Sequence, residues 1–193
     1  RPSEDFHQWT LNPQETETIV RKALDLGINF FDTANVYSHG TSEEYLGQAL
    51  KKNIARDKAV IATKVYFNEG HLSKEAINSE IDSSLKRLGT DYVDLYIIHR
   101  FDYDTSIEET MEALDGLVKS GKVRALGASA MYGYQFHNMQ LAAEKNGWTK
   151  FVSMQNHYNL LYREDEREMI PVCRQYNVSL TPYSPLASGR LSR

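Results

Sequence analysis

Six strand-like apolar runs recur along this sequence at almost constant spacing, and each runs out into a polar or ionisable residue. They end near positions 32, 64, 99, 129, 155 and 183, so successive ends lie 26–35 residues apart. A stretch with helical period separates each run from the next. Alternating β and α units at this pitch build βαβ repeats on a parallel sheet. Two architectures satisfy that pattern, an open doubly wound sheet and a closed (β/α)8 barrel. An open sheet gathers ligands at a switch point, and a Gly-x-Gly-x-x-Gly turn is expected after an early strand. No such turn is present. In a barrel all C-terminal strand ends surround one site, and that is where the polar residues fall. The expected fold is therefore α/β, a (β/α)8 TIM barrel, as a single domain over residues 1–193. Eight units need roughly 250 residues. This stretch is thus expected to be without a first and a last strand.

The helical stretches carry their own punctuation. Asn12, Pro13 and Glu15 read as a capped start and Gly27 as the stop, with Ile19, Ala23 and Leu26 on one inward face. Thr41 and Glu44 form the spacing of a second capping box, ahead of Leu46, Ala49 and Leu50. Ser73 opens a helix in which Ile77, Ile81, Leu85 and Leu88 share a face, and Gly89 ends it. Thr105 and Glu108 repeat the box before Met111, Leu114 and Val118. A weaker helix is expected over 132–146 and another over 163–176. Strands are expected to Asp32 and over 59–64, 92–99, 123–129, 152–158 and 178–184. The run before Asp32 reads as a buried parallel strand, and residues 1–11 read as polar and irregular.

Charge and composition exclude several function classes. Net charge is −4, from 22 basic and 26 acidic side chains, with no Lys/Arg cluster beyond short pairs. No nucleic-acid partner is expected. No apolar stretch approaches the roughly 18–20 residues of a membrane helix, so no membrane partner is expected either. The single cysteine, Cys173, cannot close an internal disulfide, which favours a reducing, cytoplasmic setting. No signal peptide is visible, and the sequence opens on Arg1 rather than Met.

The chemistry sits at the strand ends. Asp32 closes the first run, Lys64 the second and His99 the third, and Tyr37 follows Asp32 in the loop. Each has an ordinary reading alone: a capping aspartate, a solvated lysine, a core histidine, one of 12 tyrosines. Three ionisable side chains on consecutive strand ends must converge if the barrel closes. A phenol titrates at a pH of about 10, too weak an acid to donate readily near neutrality. A nearby ammonium favours the phenolate. Lys64 can supply that charge, Asp32 can hold Lys64, and His99 can hydrogen-bond the same substrate oxygen. No nucleophile–base pair stands out. No metal is expected, since His99 has no His or carboxylate at ligand spacing and Asp102 lies in a loop. An acid poised at a carbonyl oxygen needs an electron donor, which points to a hydride cofactor.

These residues lie in stretches that resemble the aldo-keto reductase superfamily. The first is Gly27-Ile28-Asn29-Phe30-Phe31-Asp32-Thr33-Ala34 with Tyr37, then Ser42-Glu43-Glu44-Tyr45-Leu46-Gly47. Arg87-Leu88-Gly89-Thr90-Asp91 through Ile98-His99 follows, then Gly127-Ala128-Ser129, Gln155-Asn156 and Pro182-Tyr183-Ser184-Pro185-Leu186-Ala187-Ser188-Gly189. The order is kept from about residue 14 to 193. The resemblance is nearest the branch of potassium-channel beta subunits and aryl-alcohol dehydrogenases. It implies a barrel enzyme that reduces a small-molecule carbonyl, an aldehyde or ketone, with NADPH. Tyr37 would be the general acid, Lys64 its partner, Asp32 the anchor of Lys64, and His99 the group that orients the carbonyl. Ser129 and Gln155 would hold the nicotinamide carboxamide and Tyr183 would stack on its ring. The segment Ser184 to Arg190, with Leu186, Ser188 and Gly189, would wrap the pyrophosphate.

Some positions depart from the pattern. Ala130 stands where many members carry an asparagine that also holds the carboxamide. The motif that grips the adenosine 2′-phosphate would lie beyond Arg193, so the choice of NADPH over NADH rests on the resemblance. Tyr66, Phe67 and Phe101 are expected to line the substrate mouth, with Tyr103 and Tyr132 near them, which suits a flat or aromatic aldehyde. A second reading is a cofactor-binding sensor or auxiliary subunit that turns over little, as the channel beta subunits do. The intact set of four, His99 included, argues against it. Neither the physiological substrate nor the oligomeric state is written in the sequence.

Overall fold

Side chains alternate along a strand, so each strand here presents one row of residues to the helices and the other to the opposite side. The computed structural model describes residues 10–192. The irregular reading of residues 1–9 lies outside the described residues. In chain order the elements are α1 (Pro13–Asp25), β1 (Phe30–Asp32), α2 (Thr41–Asn53), β2 (Val60–Val65), α3 (Lys74–Leu88) and β3 (Val93–Ile98). Then come α4 (Ile107–Lys119), β4 (Val123–Ser129), α5 (Gly133–Asn146), β5 (Phe151–Gln155), α6 (Met169–Gln175) and β6 (Ser179–Leu180). All strand pairs are parallel, and the sheet order runs β1 to β6 without a reversal. That order excludes the doubly wound alternative, which needs a switch point. The sheet curls far enough for the ends of β1 and β5 to meet, where Gln155 Nε2 donates to Asp32 Oδ2 at 3.0 Å.

The helices cover one face of the sheet. Ile61, Val65, Tyr96, Ile98, Leu126, Ala128 and Met154 pack there against Leu46, Ile77, Ile81, Leu85, Met111, Leu114, Phe136 and Met139 in one core. Each such aliphatic side chain contributes on the order of 1.5–3 kcal/mol by leaving water. The opposite row holds a small cluster of Ala62, Leu95 and Ile97 with Ala125. Lys64 is two residues beyond Ala62, His99 two beyond Ile97, and Ser129 four beyond Ala125. Period two therefore turns these three to the concave side, away from the helices.

Several sequence expectations change. β1 is three residues long and not fully buried, because among the described residues it pairs with β2 alone. α1 turns Val20 inward, 5% exposed, and leaves Ile19 at 60% and Leu26 at 67%. It packs on α2, and this neighbour, not the sheet, sets which face is covered. The capping box of Asn12 and Glu15 forms. The box expected of Thr41 and Glu44 does not. Gly40 is the N-cap, and Thr41 Oγ1 instead donates to the Ser38 carbonyl at 2.8 Å. Ser106, not Thr105, caps α4. β5 stops at Gln155, and the helix expected over 163–176 shortens to Met169–Gln175. Its first part is tied down sideways, since Asp165 accepts from Asn156 and Glu166 from Tyr158 and Arg163. β6 keeps only two residues in the ladder.

Two features at the end of the sheet opposite the site anchor the structure. The guanidiniums of Arg56 and Arg124 each sit 3.9 Å from the centre of the Tyr92 ring. Both pair with Asp94, at 2.7 and 3.0 Å. Nearby, α2 approaches α3 so closely that a Cβ on Gly47 would stand 2.2 Å from the Leu88 carbonyl oxygen. Gly47→Ala is expected to lower the urea midpoint with an unchanged m-value. The cost is about 1–3 kcal/mol or more from overpacking, set against about 1 kcal/mol of gained helix propensity. A midpoint at or above wild type would mean that the helices part freely.

Candidate active site

The loop after β1 keeps pairing with β2, since Thr33 N donates to Ala62 O at 2.9 Å and Asn35 N to Lys64 O at 3.2 Å. This carries the chain over Lys64 before it turns at Tyr37. Ser38, His39 and Gly40 then follow with φ of 48°, 54° and 90°. Non-glycine residues in the left-handed region cost about 1–2 kcal/mol each, a strain that commonly marks functional loops.

Lys64 is fully buried, and all three of its ammonium contacts are to this strand end and loop. Its Nζ pairs with Asp32 Oδ1, donates to the Thr33 carbonyl at 2.8 Å, and lies 3.4 Å from the Tyr37 hydroxyl. The same ammonium sits 4.8 Å from the Tyr37 ring centre. Three acceptors use the three donors of an ammonium. Tyr37 is 39% exposed, so its hydroxyl-bearing ring reaches the open side of the site.

His99 completes the group. Its backbone N–H bonds Val65 O at 2.8 Å. Its ring meets Tyr37 edge-on at 5.7 Å and Phe67 edge-on at 5.0 Å. Burial first, then the Lys64 ammonium and Arg100, push the imidazole down to about 4. It is therefore neutral at pH 7, with one N–H to give. Nδ1 is buried and has no hydrogen-bond partner among the described residues. An unpaired buried acceptor costs less than an unpaired buried N–H, so the proton belongs on Nε2.

The linkage to stability has a definite sign. The unfolded chain takes a proton at His99 near pH 6.5, and the folded chain resists it until about pH 4. Stability from this residue is present above pH 6.5 and is lost as pH falls through that window. His99→Gln is expected to flatten the fall of Tm between pH 6.5 and 4.5. An unchanged slope would show that other groups set it.

A cavity of about 540 Å³ opens beside this group. Tyr66, Phe67 and Phe101 line it, with Tyr103, Tyr132 and Tyr183. Arg100 is also in its wall. None of Asp32, Tyr37, Lys64 and His99 lines it; the group reaches the cavity through the contact of His99 with Phe67. His157 was not foreseen: its ring lies between Tyr162, at 4.4 Å and 19°, and Tyr183, at 5.0 Å and 7°. Its only sequence signal is parity, two residues past Gln155. Cys173 is buried, and burial pushes its thiol up to about 11, which removes it as a nucleophile.

Ser129 and Gln155 face each other at the ends of β4 and β5. Ala130, next to them, has φ of 45°. Beyond Tyr183, Leu186 is right-handed (φ −93°, ψ 6°), and Ala187, Ser188 and Gly189 follow at φ 48°, 55° and 86°. The turn closes on itself, since the N–H groups of Ala187 and Gly189 donate to the Ser184 and Leu186 carbonyls, each at 3.0 Å, and that of Arg190 to the Ala187 carbonyl at 3.2 Å. A half-exposed planar ring near two polar side chains at neighbouring strand ends fits the chemistry of a nicotinamide and its carboxamide. Among the described residues, no group of three or more His, Cys, Asp or Glu side chains could hold a metal ion. No helix among them is long and apolar enough to cross a membrane.

The sequence model of the Aldo/keto reductase family matches residues 4–193. An aldo-keto reductase of Fusarium vanettenii is 49% identical over 96% of this chain and 58% of its own length. Versiconal hemiacetal acetate reductase of Aspergillus parasiticus is 46% identical over 99% of the chain and 62% of its own length. A Schizosaccharomyces pombe protein named as a candidate aryl-alcohol dehydrogenase is 45% identical over 98% and 62%. The chain thus spans about 60% of the length of the curated relatives it matches.

Proposed function

Because this chain belongs to the aldo/keto reductase family, whose fold is a (β/α)8 barrel, we propose that it reduces an aldehyde or ketone with NADPH, using Tyr37 as the general acid. The observation that carries this reading is the buried Lys64 ammonium, shared among Asp32, the Thr33 carbonyl and the Tyr37 hydroxyl. The hydride would come from NADPH when it is bound. As negative charge develops on the carbonyl oxygen, Tyr37 gives up its proton and the ammonium 3.4 Å away stabilises the phenolate left behind. Asp32 and the Thr33 carbonyl hold that ammonium in place. His99, neutral at the working pH, donates from Nε2 to the same oxygen and orients it. Ser129 and Gln155 would hold the carboxamide, and Tyr183 would cover one face of the ring. The segment Ser184 to Arg190 would receive the pyrophosphate, with the Arg190 side chain supplying a cation.

The aromatic walls favour a flat substrate. The test is NADPH consumption by the full chain with benzaldehyde, run beside NADH. Turnover with preference for NADPH supports the reading. Tight NADPH binding with no turnover across aromatic and aliphatic carbonyls would replace it with a binding role.

A further inference from the structure

Asp32 divides its carboxylate between two partners. Oδ1 takes the Lys64 ammonium, and Oδ2 takes Gln155 Nε2 at 3.0 Å. The two residues are 123 positions apart in sequence, and the curl of the sheet brings them together. An ionised carboxylate only accepts, so it can face only the NH2 edge of an amide. That fixes which way the Gln155 side chain is turned, an orientation otherwise decided by the network around it. Its Oε1, on the other side of the planar amide, has no protein partner among the described residues and remains available as an acceptor. A nicotinamide carboxamide offers an N–H2 donor, and Oε1 matches it.

We infer that Asp32, besides holding Lys64, sets the amide orientation of Gln155 and so links the proton-donating group to recognition of the carboxamide. This rests on the reading above that Gln155 meets the cofactor. Asp32 is in this respect a positioning residue, and its effect is read in cofactor affinity, apart from turnover.

The test is a double-mutant cycle on the full chain, with the NADPH Kd measured by fluorescence titration. The acetylpyridine analogue of NADPH, which keeps the ring carbonyl and lacks the amide N–H, serves as the second ligand. Gln155→Ala is expected to raise the NADPH Kd about three- to tenfold and to abolish discrimination against the analogue. Asp32→Asn, whose side chain can face either edge of the Gln155 amide, is expected to lose most of that discrimination. The double variant should lie within about twofold of Gln155→Ala alone. Multiplying effects would overturn the link while leaving the carboxamide contact standing. A Gln155→Ala protein with unchanged Kd and discrimination would overturn both. Should Asp32→Asn fail to fold, Gln155→Glu takes its place. It sets a second carboxylate against Asp32, and two such groups share a proton. NADPH binding should then depend on pH between about 4 and 7 more steeply than in wild type. An unchanged profile overturns the inference.

Discussion

Tyr37→Phe is expected to lower kcat for aldehyde reduction by about 10³-fold while the NADPH Kd stays within about twofold of wild type. The substitution removes one hydroxyl and little else. The ring keeps its edge-on contact with His99, and Lys64 keeps Asp32 and the Thr33 carbonyl. What disappears is the proton donor 3.4 Å from the ammonium. Among the described residues no other hydroxyl touches that ammonium, so no substitute donor is in place. Steady-state rates combined with a binding titration separate the possibilities. Retained turnover would remove Tyr37 from the acid's role. A parallel loss of NADPH binding would recast it as part of the cofactor site.

Arg87→Ala is expected to be the most damaging single change away from the site, costing about 3–5 kcal/mol. Glu43 on α2 is fully buried. Its Oε2 accepts from Arg87 Nε at 2.5 Å and its Oε1 from Thr63 at 2.5 Å. Arg87 on α3 also holds Glu80 at 2.6 Å and Ser84 at 3.1 Å. Burial works against the guanidinium, but its bonds to Glu80 and Glu43 more than offset this and hold it above its ordinary value. Without Arg87, the Glu43 carboxylate stays buried with one hydroxyl donor. A protein's net stability is only about 5–15 kcal/mol, so the variant should lie near the edge of folding. Urea unfolding measures the loss. The pair Glu43→Gln with Arg87→Leu should recover most of it, because the stranded charge is then gone. A single variant as stable as wild type would mean that water reaches Glu43.

Much of this arrangement could be read from the chain because it depends on local rules. The pitch of the βα units and the parity of Lys64, His99 and Ser129 follow from spacing alone. The Ser73 cap and the Ile77, Ile81, Leu85 face follow from helical period, and the structure has both. Other features depend on what lies across space. The bond from Gln155 to Asp32 exists only through the curl of the sheet. Val20 rather than Ile19 is buried because α2 is the neighbour of α1. The Thr41 box gives way because residues 38–40 turn left-handed and put Gly40 at the cap. His157 gains its place from Tyr183, a partner supplied by the far side of α6.

The cluster of Arg56, Tyr92, Arg124 and Asp94 lies at the strand starts, while every residue with proposed chemistry lies at the strand ends. The molecule therefore keeps its mechanical fastening and its chemical identity on opposite faces. The loops that line the cavity, at 66–67, 100–103 and 130–132, touch none of these fasteners. Loops of other shape can be set there without disturbing those fasteners, provided the tie of Asp102 to the Leu72 N–H and the start of α5 at Tyr132 are kept. In evolutionary terms, such a chain can diversify in what it accepts faster than in how it folds.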